Sequence, residues 1–390
     1  MSNTLYWLWL QQKIGAGAKT ARILGEPSNI QSFYESTHYN SAFRNTRVQK
    51  LLDKDLSACE SIVHICEQKG YTILTPDDAA YPDAFRVMPD YPCVIYVQGE
   101  FDFNHTPMIS IVGARKASYY GLNVATRLSY SLSIGGMAVI SGGALGIDSA
   151  AHKGAVFAGG KTVMVLGCGL DGGYIKENEA LRSAVLQHGA VISEFSPDFA
   201  ANRFSFPIRN RLIAALGLGT VVVQAGKASG SLITADFAKQ YGKDVYGVPG
   251  GIYNKAFQGV NELIRDGAGI VTGVEDILSN YEADFPGVID TQKAAAYNIK
   301  DPEEIYEDLP KTKIAAVDEE IELKFDEKKH ITGLSPKTRL VYDSLETGPK
   351  HINEISMLTS LSQPEVLSHL TSLELMDAVV ALEGRVYQQL

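Results

Sequence analysis

Short β-branched runs alternate with amphipathic stretches through the middle of the chain, from about residue 108 to residue 280. The apolar runs are continuous, which is typical of strands covered on both faces, and the stretches between them repeat apolar residues at a period near 3.6. The predicted strands are Met108–Val112, Met137–Ile140, Thr162–Leu166, Val191–Ser193, Thr220–Val223 and Val245–Val248. The predicted helices are Leu122–Ile134, Ser149–Ala158, Glu179–His188 and Leu232–Tyr241. This alternation favours an α/β fold with a parallel sheet between two layers of helices.

The first 75 residues have the apolar spacing of a helical domain. Helices are predicted at Leu5–Lys13, Lys19–Leu24, Ile30–Glu35 and Leu56–Lys69. The segment Ile14–Lys19 has the glycine spacing of a helix-hairpin-helix turn, which aims backbone N–H groups at a phosphate. A glycine helix stop followed by a new helix has the same signature, and both interpretations stay open. Residues 76–107 are extended and rich in proline, with a strand predicted at Cys93–Val97.

The C-terminal third changes character twice. Residues 281–335 are charged and poor in aromatic residues, which predicts a flexible acidic linker. Residues 336–390 show three short helical patterns, Thr338–Leu345, Ile352–Thr359 and Pro364–Leu373, followed by a β-hairpin pattern. Three helices and a hairpin is the element order of a winged-helix domain. We therefore predict boundaries near residues 75, 280 and 335.

Charge is distributed unevenly along these 390 residues, whose formal net charge is −10. Residues 281–330 hold 14 acidic and 7 basic side chains, and residues 331–390 hold 7 and 4, so the first 280 residues are neutral overall. A neutral body can carry a basic patch on one face, and the total charge therefore does not exclude binding to nucleic acid.

The sequence gives little support for a membrane protein or for a metal-binding protein. No apolar run approaches the roughly 18 residues of a membrane span, and the apolar start at Leu5–Leu10 is too short for a signal peptide. The four cysteines show neither a CxxC pair nor a zinc-type spacing to histidine. We expect a cytoplasmic protein with reduced thiols, no metal site and no membrane partner.

Candidate chemistry follows the ends of the predicted strands. These segments are Gly113–Arg115, Ser141–Asp148, Gly167–Gly169 with Tyr174–Asn178, Phe206–Arg211, Ser229–Ser231 and Pro249–Gly251. In a parallel sheet they emerge at the carboxyl edge, where α/β folds bind ligands. Glycines let a ligand approach the backbone, and helix starts suit phosphate. Each segment alone is equally a tight turn with a helix cap, but six at one edge predict an anion site, to which Arg115, Lys176, Arg209 and Arg211 would add positive charge.

Aromatic residues are concentrated in the segment 195–206, which we expect to be a loop. Phe195, Phe199, Phe204 and Phe206 occur beside Arg203 and the arginines that follow. Aromatic faces interleaved with guanidinium groups are typical of surfaces that bind single-stranded nucleic acid, because every unpaired base offers a face for stacking. The alternative is that two or three of these side chains belong to the core. Phe206 is the predicted base contact.

The sequence lacks a cofactor signature at the start of the α/β region and a phosphate-binding signature for NTP hydrolysis. There is neither a G-x-G-x-x-G opening the first helix of the α/β region nor a G-x-x-x-x-G-K-[ST] segment. Asp148 and His152 lie one helical turn apart and could form an acid/base pair. We favour the alternative, in which Asp148 caps the helix starting at Ser149 and His152 packs or hydrogen-bonds locally. The prediction is a protein without cofactor that is not an enzyme.

Five motifs, in order between about Tyr81 and Val271, resemble those of the DprA/Smf family of DNA-processing proteins. They are Ile111–Arg115, Ser141–His152, Phe206–Ile213, Ser229–Ala235 and Gly259–Ile264. The resemblance implies an extended Rossmann-like core, with a helix-hairpin-helix or SAM-like domain before it and a winged helix after it. Two positions depart from the family pattern: Ile175 replaces a proline after Tyr174, and Gln224 replaces a glutamate.

The resemblance also implies a function. Family members are non-catalytic mediators of natural transformation that bind incoming single-stranded DNA in a positive pocket, form homodimers and help load the RecA recombinase. By motif position, the residues implied to line the pocket are Gly113, Arg115, Ser141, Gly142, Lys176, Asn178, Phe206, Arg209, Asn210, Arg211, Ser229, Gly230 and Ser231. The segment Gly259–Ile270 is the candidate for part of the dimer interface.

Two other function classes are weighed against this one. A phosphoribohydrolase on a related fold would carry P-G-G-x-G-T-x-x-E, whereas here Ile252 and Tyr253 follow Gly251 and the glutamate is missing. A winged-helix transcription regulator would need basic residues on its recognition helix, and Gln363–Leu373 contains no Lys or Arg. A role in contacting protein or supporting a dimer suits that helix better.

Overall fold

The computed structural model describes residues 3–17, 29–36, 50–173, 178–296, 335–346, 348–375, 378–382 and 386–389. The chain forms two compact units, residues 1–314 and 315–390. The predicted helix at Lys19–Leu24 lies outside the described residues, as does Lys176.

The first unit has an N-terminal group of helices and a large sheet. Its helices are α1 (Asn3–Ile14), α2 (Ile30–Ser36), α3 (Ser57–Lys69), α4 (Asp83–Arg86), α5 (Tyr119–Ile134), α6 (Ile147–Phe157), α7 (Glu179–His188), α8 (Ser205–Leu216), α9 (Gly230–Gln240), α10 (Gln258–Arg265), α11 (Glu275–Leu278) and α12 (Thr291–Ala296), with 3-10 turns at Lys50–Leu52 and Lys255–Phe257. Its strands are β1 (Thr72–Leu74), β2 (Ile95–Gly99), β3 (Met108–Val112), β4 (Ala138–Ser141), β5 (Thr162–Val165), β6 (Gly189–Ser193), β7 (Gly219–Val222), β8 (Asp244–Gly247) and β9 (Gly269–Ile270).

The sheet has the strand order β1-β2-β6-β5-β4-β3-β7-β8-β9. From β6 to β9 every pairing is parallel, and β1 and β2 add two antiparallel pairings at one side. The order reverses between β3, which pairs with β4, and β7, which follows much later in the chain. Such a switch point creates a crevice at the carboxyl ends of the strands, and the predicted α/β fold is confirmed.

Both faces of the sheet are buried, as the continuous apolar runs predict. Along β3, Met108 and Val112 pack into one apolar cluster, whereas Ile109 and Ile111 pack into a cluster on the other face. Successive side chains of a strand point to opposite faces, so one strand supplies both cores. This double burial fixes the register of the strands and the position of the loops that follow them.

The N-terminal helices belong to the same apolar cluster as one face of the sheet. Trp7 and Trp9 of α1 are buried there, and the Trp9 indole donates to the carbonyl of Asp53 at 2.7 Å. After α1, the Gly15 N–H donates to the Gln11 carbonyl, and the Gly17 N–H donates to a carboxylate oxygen of Glu194 at 3.0 Å. The structure therefore supports a glycine helix stop here, and the Gly17 N–H binds the buried carboxylate of Glu194.

Residues 281–296, predicted to belong to the linker, are packed against the sheet unit instead. Tyr281, Ile289 and Ala294 are buried in the cluster that contains α5, and the Tyr281 hydroxyl donates to Asp244 at 2.6 Å. Because the region is rich in acidic residues, the sequence pattern did not indicate that these isolated apolar residues are buried. Residues 281–296 therefore share a core with the sheet unit, as do the N-terminal helices, and the predicted domain boundaries stay predictions.

The second unit has the predicted winged-helix order. It consists of α13 (Pro336–Asp343), β10 (Lys350–His351), α14 (Ile352–Thr359), α15 (Gln363–Leu375), β11 (Val379–Leu382) and β12 (Val386–Gln389). The three strands form an antiparallel sheet in the order β10-β12-β11. Apolar residues from all three helices form its separate core.

Gly154→Ala should destabilise the first unit, although alanine ordinarily favours a helix interior by about 1 kcal/mol. Gly154 lies where α6 meets α5, and a Cβ there would overlap the Thr126 carbonyl. Overpacking against backbone costs about 1–3 kcal/mol, and the helix propensity of alanine offsets about 1 kcal/mol of it, so the free energy of unfolding should fall by up to about 2 kcal/mol in urea titrations. Gly230→Ala is the matched control, because a Cβ at that helix start meets nothing within 4 Å. Equal stability of the two variants would contradict the close packing of α5 on α6.

Candidate nucleic-acid interface

A cleft of about 770 Å³ opens at the carboxyl edge of the sheet, beside the switch point between β3 and β7. Residues from four of the predicted segments meet there. The predicted site residues that line it are Gly113, Arg115, Phe206, Arg209, Asn210, Ser229, Gly230 and Ser231. Sequence positions more than 100 residues apart are thus brought to one cleft, as the parallel order predicts.

Close backbone contacts hold the segment Gly113–Arg115 against the loop that ends at Gly146. The Ala114 N–H donates to the Gln224 carbonyl, and the Ile147 N–H donates to the Ala114 carbonyl. A Cβ at Gly113 would lie 2.6 Å from Ile147. Gly146 has φ +85° and lies against the Ala114 carbonyl, so only glycine fits there. The wall of the cleft formed by Gly113–Arg115 is therefore preformed.

The start of α9 faces the cleft on the opposite side. Ser229 is its N-cap residue, and the Ser229 hydroxyl lies 2.8 Å from that of Ser231. The Asn210 amide donates to the Gly230 carbonyl at 3.2 Å. The Ser231 N–H donates to the Ser229 hydroxyl and the Leu232 N–H donates to the Ser229 carbonyl. The two hydroxyls at the positive end of the helix dipole are suited to bind an anionic oxygen.

Phe206 lies beneath two arginines. The guanidinium of Arg115 is 4.6 Å from the Phe206 ring centroid, and that of Arg209 is 6.0 Å from it. Arg115 is exposed, whereas Phe206 is half-buried. A cation over a ring face orients the guanidinium and contributes about 0.5–2 kcal/mol. The ring thus supports Arg115, and its role as a base contact stays a prediction.

The segment Phe206–Arg211, expected to be a loop, lies within helix α8. Pro207 does not interrupt this helix, because proline is tolerated in the first turn. Helical spacing places Phe206 and Asn210 on the cleft side. The two arginines of the segment are consequently directed inward, which the expectation of a loop did not anticipate.

Arg211 is not a rim residue. Its side chain is 2% exposed and donates through Nη2 to both carboxylate oxygens of Glu194, at 2.6 and 2.5 Å. The same carboxylate accepts the Gly17 N–H. Arg211 therefore joins α8 to the end of β6 and to the N-terminal helices, and, contrary to the expectation of a rim residue, its side chain does not line the cleft.

Arg209 lines the cleft but is almost wholly buried. Its Nη1 donates to the carbonyls of Gly142 and Val165, at 2.5 and 2.7 Å, which ties the ends of β4 and β5 together. A Cβ at Gly142 would overlap this guanidinium. Gly142 is thus required for the placement of Arg209 and does not itself line the cleft.

Ser141 and Asn178 also support the site from behind. Ser141 is fully buried and donates to the Ile111 carbonyl at 2.6 Å. The Asn178 amide donates to the Gly143 carbonyl and to Ser149, both at 2.8 Å. Asn178 lines a second cleft of about 600 Å³, on the other side of the loop that contains Gly143.

Lys116 and Arg203 line the cleft and were not among the predicted site residues. Both are exposed, whereas Asp148, the one acidic side chain among the described lining residues, is buried. Gln224 also lines the cleft, and its amide oxygen accepts from the N–H and hydroxyl of Ser118. Glutamine at this position adds no negative charge, so the exposed charge of the lining is positive. In the sequence, Lys116 directly follows Arg115 and Arg203 directly precedes Phe204. This adjacency was the signal that could have placed both cations at the site.

Asp148 and His152 do not form an exposed acid/base pair. Helix α6 begins at Ile147 with Gly146 as N-cap, so Asp148 is not the cap residue; its carboxylate accepts from the Ala144 N–H at 3.4 Å. Burial raises the pKa of Asp148, and the nearby Arg209 opposes that shift. His152 is fully buried, with Nδ1 2.8 Å from the Thr162 hydroxyl, and burial lowers its pKa to about 3. The local role favoured for His152 agrees with this geometry.

The described part of the chain contains no candidate membrane span and no candidate metal centre. Its helices are all too short or too polar to cross a bilayer. Its His, Cys, Asp and Glu side chains form no group of three that could hold a metal ion. All four cysteines are buried.

Family models match most of the chain. The model described as DNA recombination-mediator protein A matches residues 72–282, and the model described as the DprA winged helix domain matches residues 327–385. Among curated relatives, protein Smf of Escherichia coli is 34% identical over 65% of this chain and 68% of its own length. The DNA processing protein DprA of Streptococcus pneumoniae is 37% identical over 53% of this chain and 72% of its own.

Two solved structures are similar. The structure of DprA from Streptococcus pneumoniae matches with a TM-score of 0.57 and 29% identity, covering 71% of this chain and 93% of that one. DNA processing protein A from Helicobacter pylori, described with a unique single-stranded DNA binding mode, matches with a TM-score of 0.50 and 30% identity, covering 55% and 96%.

His152→Gln should flatten the pH dependence of stability. The unfolded chain protonates His152 near pH 6.5, whereas the folded protein does so only near pH 3, so this residue lowers stability as the pH falls from about 6.5. At pH 5 the loss is about 2 kcal/mol relative to pH 7. Urea unfolding at pH 7 and pH 5 should show this drop in the free energy of unfolding for the native protein. For the variant, the drop between the two pH values should be about 2 kcal/mol smaller. Parallel pH profiles would contradict a buried, neutral His152.

Proposed function

Because the chain belongs to the DNA recombination-mediator protein A family, we propose that it binds single-stranded DNA in the cleft at the carboxyl edge of its sheet. The observation that carries the proposal is the lining of this cleft: exposed Arg115, Lys116 and Arg203 stand beside the start of α9, with no exposed acidic side chain among the described lining residues. Cations and helix N–H groups bind phosphate without reading sequence.

A single strand suits the cleft better than a duplex. The cleft is a concave pocket, and its described lining residues present no helix or ribbon that could enter a major groove. Exposed aromatic side chains near it, such as Phe204 beneath the guanidinium of Arg203, can stack on unpaired bases. The expected binding is tolerant of sequence, sensitive to salt and weaker for duplex DNA.

We further propose a non-catalytic role in natural transformation, in which the protein protects incoming single strands and helps load the RecA recombinase. The buried Asp148 and His152 offer no accessible acid or base, which supports a binding role over an enzymatic one. The winged helix would then contact protein: α15 contains no Lys or Arg, and Met357 of α14 is an exposed apolar side chain.

The proposed dimer forms through the α/β core. The candidate segment Gly259–Ile270 spans α10 and the outermost strand β9, and Ile270 on that strand is 53% exposed. An edge strand with an exposed apolar residue is suited to pair with a second copy.

Arg115→Glu should weaken binding to single-stranded DNA by about tenfold or more, because it reverses an exposed charge at the cleft. The logarithm of affinity falls with log salt by about 0.7 for each neutralised phosphate, so the variant should also show a shallower slope. Fluorescence anisotropy with a labelled oligonucleotide at several salt concentrations measures both. Lys161→Glu is the matched control, since Lys161 immediately precedes β5 at the opposite edge of the sheet. Equal affinities of the two variants would exclude Arg115 from the site.

Truncation after Ala296 should leave single-strand binding unchanged, or raise it slightly at low salt. The removed residues are acidic overall, and their field is screened beyond about 10 Å at 0.1 M salt. Truncation after Asn280 is the contrasting control, because it removes the buried Tyr281, Ile289 and Ala294 and should unfold the sheet unit at lower temperature. A folded protein ending at Ala296 that binds tenfold more weakly would show that the winged helix contacts DNA.

A further inference from the structure

The loop after β8 presents two large apolar side chains to solvent. The Asn254 N–H donates to the Gly251 carbonyl at 2.9 Å, which closes a turn with Ile252 and Tyr253 at its tip. Ile252 is 74% exposed and Tyr253 is 93% exposed. Large apolar residues at the tip of a defined turn suggest a surface with a binding role, because nothing in the fold is gained from exposing them.

The base of this turn is anchored on both sides. The Asn261 side chain accepts from the Gly250 N–H at 3.2 Å and donates to the Gly250 carbonyl at 3.1 Å. Phe257 is buried against Gly250, where a Cβ would overlap its ring. The Asn254 side chain accepts from the Ala256 N–H. Tyr253 therefore projects from a rigid support, which reduces the entropy lost when a ligand binds it.

The stem of the turn forms one wall of the DNA cleft. Ala256 lines the cleft, as does Gly226, and a Cβ at Gly226 would lie 3.3 Å from the Lys255 carbonyl. Lys255 itself is exposed. The turn tip thus continues from the wall of the cationic cleft near the segment that leads into α9, and the exposed Tyr253 precedes the exposed Lys255 by two residues.

Stacking within the cleft itself is limited by the packing of Phe206. Arg115 lies over its ring, and a Cβ at Gly167 would lie 2.9 Å from its edge. A base that stacked on Phe206 would have to displace the Arg115 guanidinium. A strand whose phosphates occupy the cleft therefore needs an aromatic surface outside it.

We propose that Tyr253 is such a surface: a platform on which a nucleobase of the bound single strand stacks where the strand leaves the cleft beside α9. The inference rests on the proposed function of the cleft. Stacking on an aromatic ring tolerates any base, and Lys255 is placed to neutralise an adjoining phosphate. Ile252 extends the apolar surface beneath the base.

The test compares an oligo(dT) strand of about 20 nucleotides with an abasic strand of equal length, which has the same phosphates and no bases. Tyr253→Ala should weaken binding to oligo(dT) roughly 5- to 100-fold in anisotropy titrations and leave the abasic strand within about twofold. Tyr253→Trp, which keeps an aromatic ring, should bind oligo(dT) as tightly as the native protein.

Controls separate this inference from the function on which it rests. Arg115→Glu should lose affinity for both strands, and if it loses neither, the proposed cleft fails whatever Tyr253 does. With Arg115→Glu behaving as expected, an unchanged Tyr253→Ala protein, or one that loses both strands equally, overturns the stacking platform. Light scattering of Tyr253→Ala without DNA should give the native mass. A smaller mass would assign the turn to contact with a second copy and would also overturn the proposal.

Discussion

The buried guanidinium of Arg209 is the interaction on which the proposed site depends. It is 3% exposed and joins the Gly142 and Val165 carbonyls, where β4 and β5 give way to diverging loops. A guanidinium presents several donors in a fixed plane and stays charged when buried, so it can satisfy two carbonyls that no apolar side chain could satisfy. The absence of a side chain at Gly142 makes room for it. Arg209 thereby closes the floor of the cleft and leaves ligand contact to the exposed cations above.

A second buried arginine on the same helix connects the site to the N-terminal helices. Arg211 binds Glu194, which also accepts the Gly17 N–H, and the Gln11 amide donates to the Glu194 carbonyl at 2.7 Å. Removing one partner of such a buried pair leaves an uncompensated charge, at a cost of about 3–5 kcal/mol. Helix α8 therefore carries structural charge on its inner side, while Phe206 and Asn210 serve the cleft. Because both arginines of the segment Phe206–Arg211 are buried, this segment contributes no exposed guanidinium to the cleft.

Sequence patterns were sufficient for the central parallel strands β3 to β8 and for the edge at which the site lies, but not for the short outer strands β1 and β9. Strands buried on both faces have an unmistakable apolar pattern, and parallel order alone brings Gly113, Phe206 and Ser229 together. The direction of individual side chains was not predictable in the same way. Arg211 points inward because residues near Pro207 are helical, and its partner Glu194 lies just after β6, 17 positions earlier in the chain. The packing of Tyr281 likewise depends on Asp244, a contact between distant positions that local acidity obscured.

The central claim is that single-stranded DNA lies in the cleft between Arg115 and the start of α9. Photocrosslinking of oligo(dT) containing 5-iododeoxyuridine, followed by mass spectrometry of the crosslinked peptides, tests it most directly. The predicted crosslinks lie in the peptides that carry Phe204 and Tyr253, whose rings are exposed beside the cleft. Crosslinks confined to the winged helix, or to the second cleft around Tyr71, would contradict the assignment.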